Sequence, residues 1–423
     1  MTGQPGVADG ADWLPWGIMD KWGKAPGDLP DGRTREIAVG HSRATDPVAA
    51  AHDACDMALA GRTPDEGDLM ILFPTVEYDP ALFFGTARKI VAPAHLIGCS
   101  AFTSFTNTTL VRRGTISAFL PSGNLSFGVA GVDNVGRDIH RAARDVTQLA
   151  LERAGGEGEH AVLMVFSDGL AGDQREVVRG AYEVAGATVP LVGGAAGENQ
   201  QAFTTYQCAD DMVMTNGLVA VWINAATPLG VAVDHGWHPV GDPMIVTRAN
   251  RNLVYELDGL PAVQAYLSQR EVDPLDRNLY GEGDVTFSAA TIDEPLGLAN
   301  VSGRFDVRHI LRRTRDDGLE LFGHVNEQSV VQVMTGDWQD LVQAAERAGA
   351  EAAEQLVSEP RGALVFSCTG RVAPLGPHLG DEAAAIARSI GDQPMAGFFT
   401  YGEFARVTGS TGFHNATVVV LAL

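Results

Sequence analysis

The chain has 423 residues, enough for two or three domains with ample apolar material for their cores. Its 53 acidic residues outnumber 30 basic ones, and the resulting formal charge of -23 repels polyanions and anionic membrane surfaces. No Lys/Arg stripe reverses that charge locally, so neither nucleic acid nor a membrane is an expected partner.

Four cysteines, Cys55, Cys99, Cys208 and Cys368, stand far apart with no CxxC pairing. That spacing argues against a disulfide framework or a zinc site, and for a reducing compartment. The N-terminus lacks a basic-then-apolar signal pattern, and no apolar run approaches the roughly 18 residues of a membrane span. The expected location is the cytoplasm.

Residues 1–36 are rich in Gly, Pro and Asp yet carry Trp13, Trp16 and Trp22, which either pack on the protein's own surface or form a partner-binding arm. A strand-helix-strand pattern then occurs three times. Buried-strand runs end in Phe73, Phe166 and Phe366; helical segments follow at roughly 80–90, 173–185 and 381–390; second strands end at Gly98, Gly193 and Gly397. Asp173 and Asp381 stand where an acidic residue favours a helix start. The Phe-to-Gly separations of 25, 27 and 31 residues fit a helical crossover and are too long for a hairpin, so each pair of strands is expected to be parallel.

Copies one and two continue into paired runs, 115–120 with 125–132 and 218–223 with 229–235, whose alternation and the turn residues Ser122-Gly123-Asn124 suggest antiparallel hairpins. A turn-rich stretch at 236–242, a strand at 244–247 and a helix from about Pro261 come next. An Ala/Glu-rich helical segment at 341–357 precedes copy three, which closes with a strand at 416–423. The pattern predicts an α/β fold in which repeated strand-helix-strand units form mixed sheets in two tandem domains. They comprise an extension at 1–36, a module with two internal repeats at 37–240, and a second module at 241–423 with the third repeat at 360–423.

In parallel sheets, ligands settle beyond the carboxyl ends of the strands, where backbone groups and helix N-termini point outward. In copy three that edge carries Cys368, Arg371, Tyr401 and Glu403, with His414 and Asn415 ahead of the last strand; Asp168, Gly193 and Gly194 occupy it in copy two. Two readings of Arg371 and Glu403 stand side by side: they hold the carboxylate and amine of an amino-acid-like ligand, or they pair with each other and cap loop backbone. Cys368 is either a thiolate activated by the neighbouring cation or an inert buried thiol. His414 either reaches the edge pocket or holds a turn. No Ser/His/Asp or Cys/His/Asn arrangement, metal-ligand spacing, Walker loop or dinucleotide fingerprint is present, so an enzyme is not expected.

The segments Phe366-Ser367-Cys368-Thr369-Gly370-Arg371, Gly397 to Glu403 and Gly412-Phe413-His414-Asn415 resemble the C-terminal module of the FIST family. Phe166 to Gly169 and Val192 to Gly197 resemble its N-terminal module, and Leu257 to Ala262 the start of the C-terminal one. The resemblance covers about 37–423. It implies a signal-input protein that binds a small ligand, with amino acids proposed for the family, and passes the result to a separate partner such as a histidine kinase. Some bacterial members are similar to haem-binding nitric oxide sensors, for which His235, His238 and His414 are the candidate ligands here; otherwise no cofactor is implied.

Overall fold

The computed structural model describes residues 37–199, 203–270, 284–300, 303–406 and 412–423. The Trp-bearing segment lies outside them. The fold is α/β with mixed sheets.

The first unit runs β1 (Ala38–Ser42), α1 (Pro47–Leu59), β2 (Leu69–Pro74), α2 (Pro80–Val91), β3 (His95–Cys99), the short pair β4 (Ser104–Thr106) and β5 (Leu110–Val111), and β6 (Thr115–Leu120). The second repeats it with β7 (Leu125–Val132), α3 (Ile139–Arg153), β8 (His160–Asp168), α4 (Arg175–Ala185), β9 (Leu191–Ala196), the pair β10 (Gln207–Ala209) and β11 (Met212–Met214), and β12 (Leu218–Ala225). The third opens with β13 (Gly230–Asp234) and is interrupted at once by an insert. The insert contains β14 (His238–Asn250), β15 (Leu253–Leu257), β16 (Leu260–Pro261), α5 (Ala262–Ser268), α6 (Asp284–Ala290), β17 (Leu296–Ala299), β18 (Phe305–Arg308), β19 (Ile310–Arg313), β20 (Leu319–Leu321) and β21 (Val330–Thr335). The unit resumes with α7 (Trp338–Glu354), β22 (Ala363–Cys368), α8 (Val372–Leu375), α9 (Leu379–Ser389), β23 (Met395–Thr400), the pair β24 (Glu403–Arg406) and β25 (Gly412–His414), and β26 (Val418–Ala422).

Each unit builds one six-stranded sheet in the same order, with the parallel pairs β2/β3, β8/β9 and β22/β23 at its centre. The outer edge of every sheet is supplied by another unit. β4 and β5 extend the third unit's sheet at β23, β10 and β11 extend the first at β3, and β24 and β25 extend the second at β9. The exchange is cyclic and closes on itself. It also overturns the expected hairpins: β6 pairs with β1 and β2 while β7 pairs with β12, and β13 pairs with β26 rather than β12. Each of those adjacent runs is the last strand of one sheet followed by the first of the next.

The stretch expected to be turns at 236–242 is mostly strand, because β14 starts at His238 and pairs with β21 through a bulge between Val240 and Met244. Residue 240, the expected boundary, therefore lies inside a strand, and the third unit begins ahead of it. The insert is an eight-stranded sheet with only antiparallel pairings, around its own core of Val246, Leu257, Tyr266, Leu296, Ile310 and Val333.

The central strands read as continuous apolar runs because both faces are covered. Leu69, Ile71 and Phe73 point into a core shared by all three sheets, as do Val162, Met164 and Phe166, and Leu364 and Phe366. Met70 and Leu72, Leu163 and Val165, and Ala363 and Val365 point outward under the helices. The repeat's phenylalanines meet at the centre. Phe73 and Phe166 stand edge to face at 5.6 Å between centroids, Phe166 and Phe366 are tilted at 5.9 Å, and Phe398 stacks on Phe73 at 4.6 Å.

The repeat's glycines have an equally direct cause. A Cβ at Gly98, Gly193 or Gly397 would overlap the carbonyl oxygen of the residue before the phenylalanine, Leu72, Val165 or Val365, on the neighbouring parallel strand. A second equivalent trio, which the sequence does not reveal, is Gly40, Gly128 and Gly230 on the first strands. There a Cβ would run into the carbonyl oxygens of Ala54, Ala150 and Ala352 on α1, α3 and α7, so the helices lie directly on bare backbone. Gly128→Ala should therefore destabilise the fold by ~1–3 kcal/mol or more, the range for overpacking. Gly85 on α2 has nothing within 4 Å of a built Cβ, so Gly85→Ala should be neutral or stabilising by roughly 1 kcal/mol. Denaturant midpoints of the two variants measure both; equal midpoints would refute the close helix seat.

Candidate functional site

The carboxyl ends of the central strands carry one equivalent rung in each unit. Thr75 bridges Ala101, Asp168 pairs with Ala196, and Cys368 pairs with Thr400. The first two are occupied by internal bonds. Thr75 exchanges hydrogen bonds with the Gly114 backbone, while Asp168 accepts from Thr205 Oγ1 at 2.7 Å, Leu170 N at 2.8 Å and Asn216 N at 2.9 Å. Asp168 thereby fixes the turn that leads into β12.

In the third unit Glu403 performs that task. Its carboxyl is fully buried, is bonded by the Thr400 hydroxyl, and accepts from Thr417 Oγ1 at 2.9 Å and Thr417 N at 3.3 Å. Burial raises its pKa to about 8 against these hydrogen bonds, so it is largely protonated at neutral pH. A neutral carboxyl does not hold a ligand's ammonium group. Cys368 lies beside it, and burial, followed by the Glu403 charge, raises the thiol well above its ordinary range. Burial likewise raises Cys55, Cys99 and Cys208, so the four thiols are the inert kind rather than activated thiolates.

Arg371 also differs from the ligand-clamp expectation. It is fully buried and forms an ion pair with Glu382 on α9, Nε to Oε2 at 3.0 Å and Nη2 to Oε2 at 2.9 Å. Its remaining protons reach backbone oxygens of His235 at 2.7 Å, Leu341 at 2.9 Å and Ala416 at 3.4 Å. Glu382 in turn accepts from Ser367 Oγ at 2.5 Å, as Gln174 does from Ser167 at 2.6 Å in the second unit. Arg371 is thus a structural clamp across β13, α7 and the β25–β26 turn, and Arg371 and Glu403 are each occupied by their own partners.

The other proposed residues fall into packing roles. The half-buried Tyr401 donates to the Glu198 carboxylate, Gly194 pairs with Glu403 in the β9/β24 ladder, and Gly193 makes the close strand approach at φ +141°. His414 Nε2 meets Ala405 O at 2.8 Å, and burial lowers its pKa. Asn415 differs from these: it is 1% exposed and its Oδ1 has no donor.

Two further residues with unpartnered buried nitrogens, His309 and Arg308, were not singled out in the sequence. At the bend between β18 and β19, the insert presses His309 onto Gly370, where the ring fills the space a Cβ would take, with Trp237 edge-on at 6.2 Å. His309 is 6% exposed, yet neither ring nitrogen has a hydrogen-bond partner among the described residues, and burial lowers its pKa to about 4. Its neighbour Arg308, 3% exposed, likewise has an unpartnered Nε. Buried polar atoms are nearly always bonded, so these groups mark the seam where the insert meets the core, His309 at Gly370 of the third unit and Arg308 within electrostatic reach of Asp173 and Arg175 of the second and His414 of the third. The signal in the sequence was faint: Arg308-His309 interrupts a run of strands.

Of the three histidines named for haem, two already bond backbone and the third is exposed. His235 Nδ1 accepts from Trp237 N at 2.9 Å, His414 is held by Ala405, and His238 is exposed on β14, 3.7 Å from Asp340. Two shallow depressions of about 460 and 450 Å³ touch none of the nine proposed residues. Among the described residues no cluster of metal-ligating side chains occurs, and no helix is long and apolar enough to cross a membrane.

Two outcomes follow from this geometry. Arg371→Ala should lower stability by ~3–5 kcal/mol, because it leaves Glu382 buried and unpaired, and thermal unfolding measures it. An unchanged midpoint would return Arg371 to the list of ligand groups. For Glu403 the folded pKa of about 8 lies above the ordinary 4.5, so stability is whole below 4.5 and falls as pH rises towards 8. The slope is up to ~1.4 kcal/mol per pH unit, and Glu403→Gln should lack it in denaturant titrations at pH 5.5 and 8.5. His235 and His309, lowered to about 4, act in the opposite sense between 6.5 and 4, so the wild-type-minus-variant difference isolates Glu403.

Known proteins agree with the modular reading. The FIST N domain model matches residues 68–260 and the FIST C domain model residues 262–406. An uncharacterized protein of Mycobacterium tuberculosis (strain H37Rv) is 29% identical over 404 residues, covering 90% of this chain and 97% of its own. One from Mycobacterium bovis is 30% identical over 233 residues, 54% of this chain and 58% of its own, and one from Methanocaldococcus jannaschii is 27% identical over 154 residues, 36% and 30% respectively. Since its two modules follow one another over most of the length, the chain belongs to the FIST family of signal-transduction sensor domains.

Proposed function

We propose that this protein is a cytoplasmic small-ligand sensor whose ligand enters the seam between the insert and the strand ends of the third unit, and whose output passes to a separate protein such as a histidine kinase. The observation that carries this reading is His309, buried with both ring nitrogens unpartnered against Gly370. Leaving a buried polar atom without a partner costs about 1–3 kcal/mol, a cost that a ligand reaching those nitrogens removes.

The seam also adjoins a natural pivot. The chain enters the insert at Gly236, φ +81°, and leaves it at Gly336, where a Cβ would stand 3.2 Å from the Gly236 carbonyl oxygen. Two bare crossings side by side allow the insert to swing as a body while its own antiparallel sheet stays intact. A ligand that binds only the opened seam shifts the insert's position, and a partner that reads that position receives the signal.

Native mass spectrometry of the full chain, taken directly from its host, tests the reading. The expected result is one retained small molecule that is lost in His309→Leu while the variant's thermal midpoint stays within a few degrees of wild type. A retained molecule indifferent to His309→Leu puts the site elsewhere. If no molecule is retained, and no thermal shift occurs with amino acids or organic acids, the sensor reading fails.

A further inference from the structure

The seam holds a buried permanent cation with no ion-pair partner among the described residues. Arg308 is 3% exposed; Nη1 donates to the Val307 carbonyl at 2.8 Å, Nε has no partner, and among the described residues the guanidinium makes no ion pair. Arg371, equally deep, is locked to Glu382 and to three backbone oxygens. In a chain with 53 acidic residues a carboxylate for Arg308 would be easy to supply. A charge taken out of water with neither ion partner nor full hydrogen bonding costs several kcal/mol, so an isolated buried arginine needs a reason.

Gly323, φ +121°, leaves bare backbone beside the orphaned nitrogen, where a Cβ would stand 2.9 Å from Nε. Asp306 and Asp173 act on Arg308 through space, but Asp173 is engaged by Arg175, Nη2 to Oδ2 at 2.7 Å, and Arg175 adds its own positive charge nearby. Next to Arg308 in the chain, His309 offers two unpartnered nitrogens on the same seam.

We propose that the ligand of this seam carries an oxyanion, a carboxylate or a phosphate, which binds the Arg308 guanidinium. The inference rests on the seam being the sensory site and names the chemistry that fills it. A guanidinium matches both anions through its planar fork of N–H donors, and an oxyanion supplies the acceptor that Nε lacks. His309, neutral at physiological pH, is left to recognise the remainder of the molecule.

Thermal unfolding of the full chain tests the assignment, using sodium phosphate, sodium acetate and the neutral acetamide at low millimolar concentration against matched sodium chloride, for wild type and Arg308→Met. The expected result is a saturable rise of roughly 3 °C with one of the two anions, absent in Arg308→Met, and an unliganded midpoint in Arg308→Met equal to or above wild type. Which anion shifts the midpoint tells carboxylate from phosphate. A lower unliganded midpoint in Arg308→Met would make Arg308 structural and overturn the proposal, as would an anion shift that survives the substitution. A shift with acetamide alone, lost in His309→Leu, would overturn the anion while sparing the seam; no shift with any probe overturns the anion, and if the native protein also retains no molecule the seam falls with it.

Discussion

Each six-stranded sheet of the core has a central parallel strand whose outer edge is closed by a hairpin from a different unit: β4 and β5 on β23, β10 and β11 on β3, β24 and β25 on β9. An uncovered strand edge invites pairing with another chain, and the cyclic exchange covers β3, β9 and β23, so that the short β11, β25 and β5 form the outer edge on that side of each sheet. It also makes the units interdependent. β3 pairs with a strand from the second unit and β23 with one from the first, so removing any one segment exposes an edge in another. The two sequence modules are therefore tandem along the chain but interlocked in space, and they are expected to unfold together.

The shared core follows from the same arrangement. Three sheets can turn one face inward only if each buries its other face under helices, and the helices must lie close for the outer layer to stay thin. The bare backbone at Gly40, Gly128 and Gly230 allows that approach, and the alanine-rich faces of α1, α3 and α7 complete it. Phe73, Phe166, Phe366 and Phe398 then fill the axis, where aromatic pairs contribute about 0.5–1.5 kcal/mol each beyond their buried area.

The sequence carried the local half of this information. The phenylalanine and glycine positions repeat at near-constant spacing because each is imposed by its own strand pair, so they show when the chain is compared with itself. The hairpin exchange could not show. The partners of Phe105 and Gly397 are almost 300 residues apart, and an edge strand of three residues has no periodicity to read. Adjacent runs such as β6 and β7 mimic a hairpin because both alternate and a turn separates them. At the carboxyl edge, the sequence leaves Arg371 and Glu403 open to two readings, ligand groups or internally paired side chains, because nothing local announces that Glu382 and Thr417 satisfy them. Their burial is a property of α9 and the last turn, which arrive from elsewhere in the chain.

What distinguishes the third unit from its two siblings is the insert. The equivalent rungs at Thr75 and Asp168 are closed by hydrogen bonds within the core, and the Ser167–Gln174 and Ser367–Glu382 pairs show one loop solution used twice. At the third unit a separate sheet lies against the strand ends at Gly370, and among the described residues the unpartnered nitrogens of Arg308 and His309 sit at that sheet's β18–β19 bend. At the buried positions of Arg308 and His309, apolar residues of similar shape would cost less. The duplicated architecture thus supplies the frame, and the interruption of its third copy by the insert sets the third unit apart.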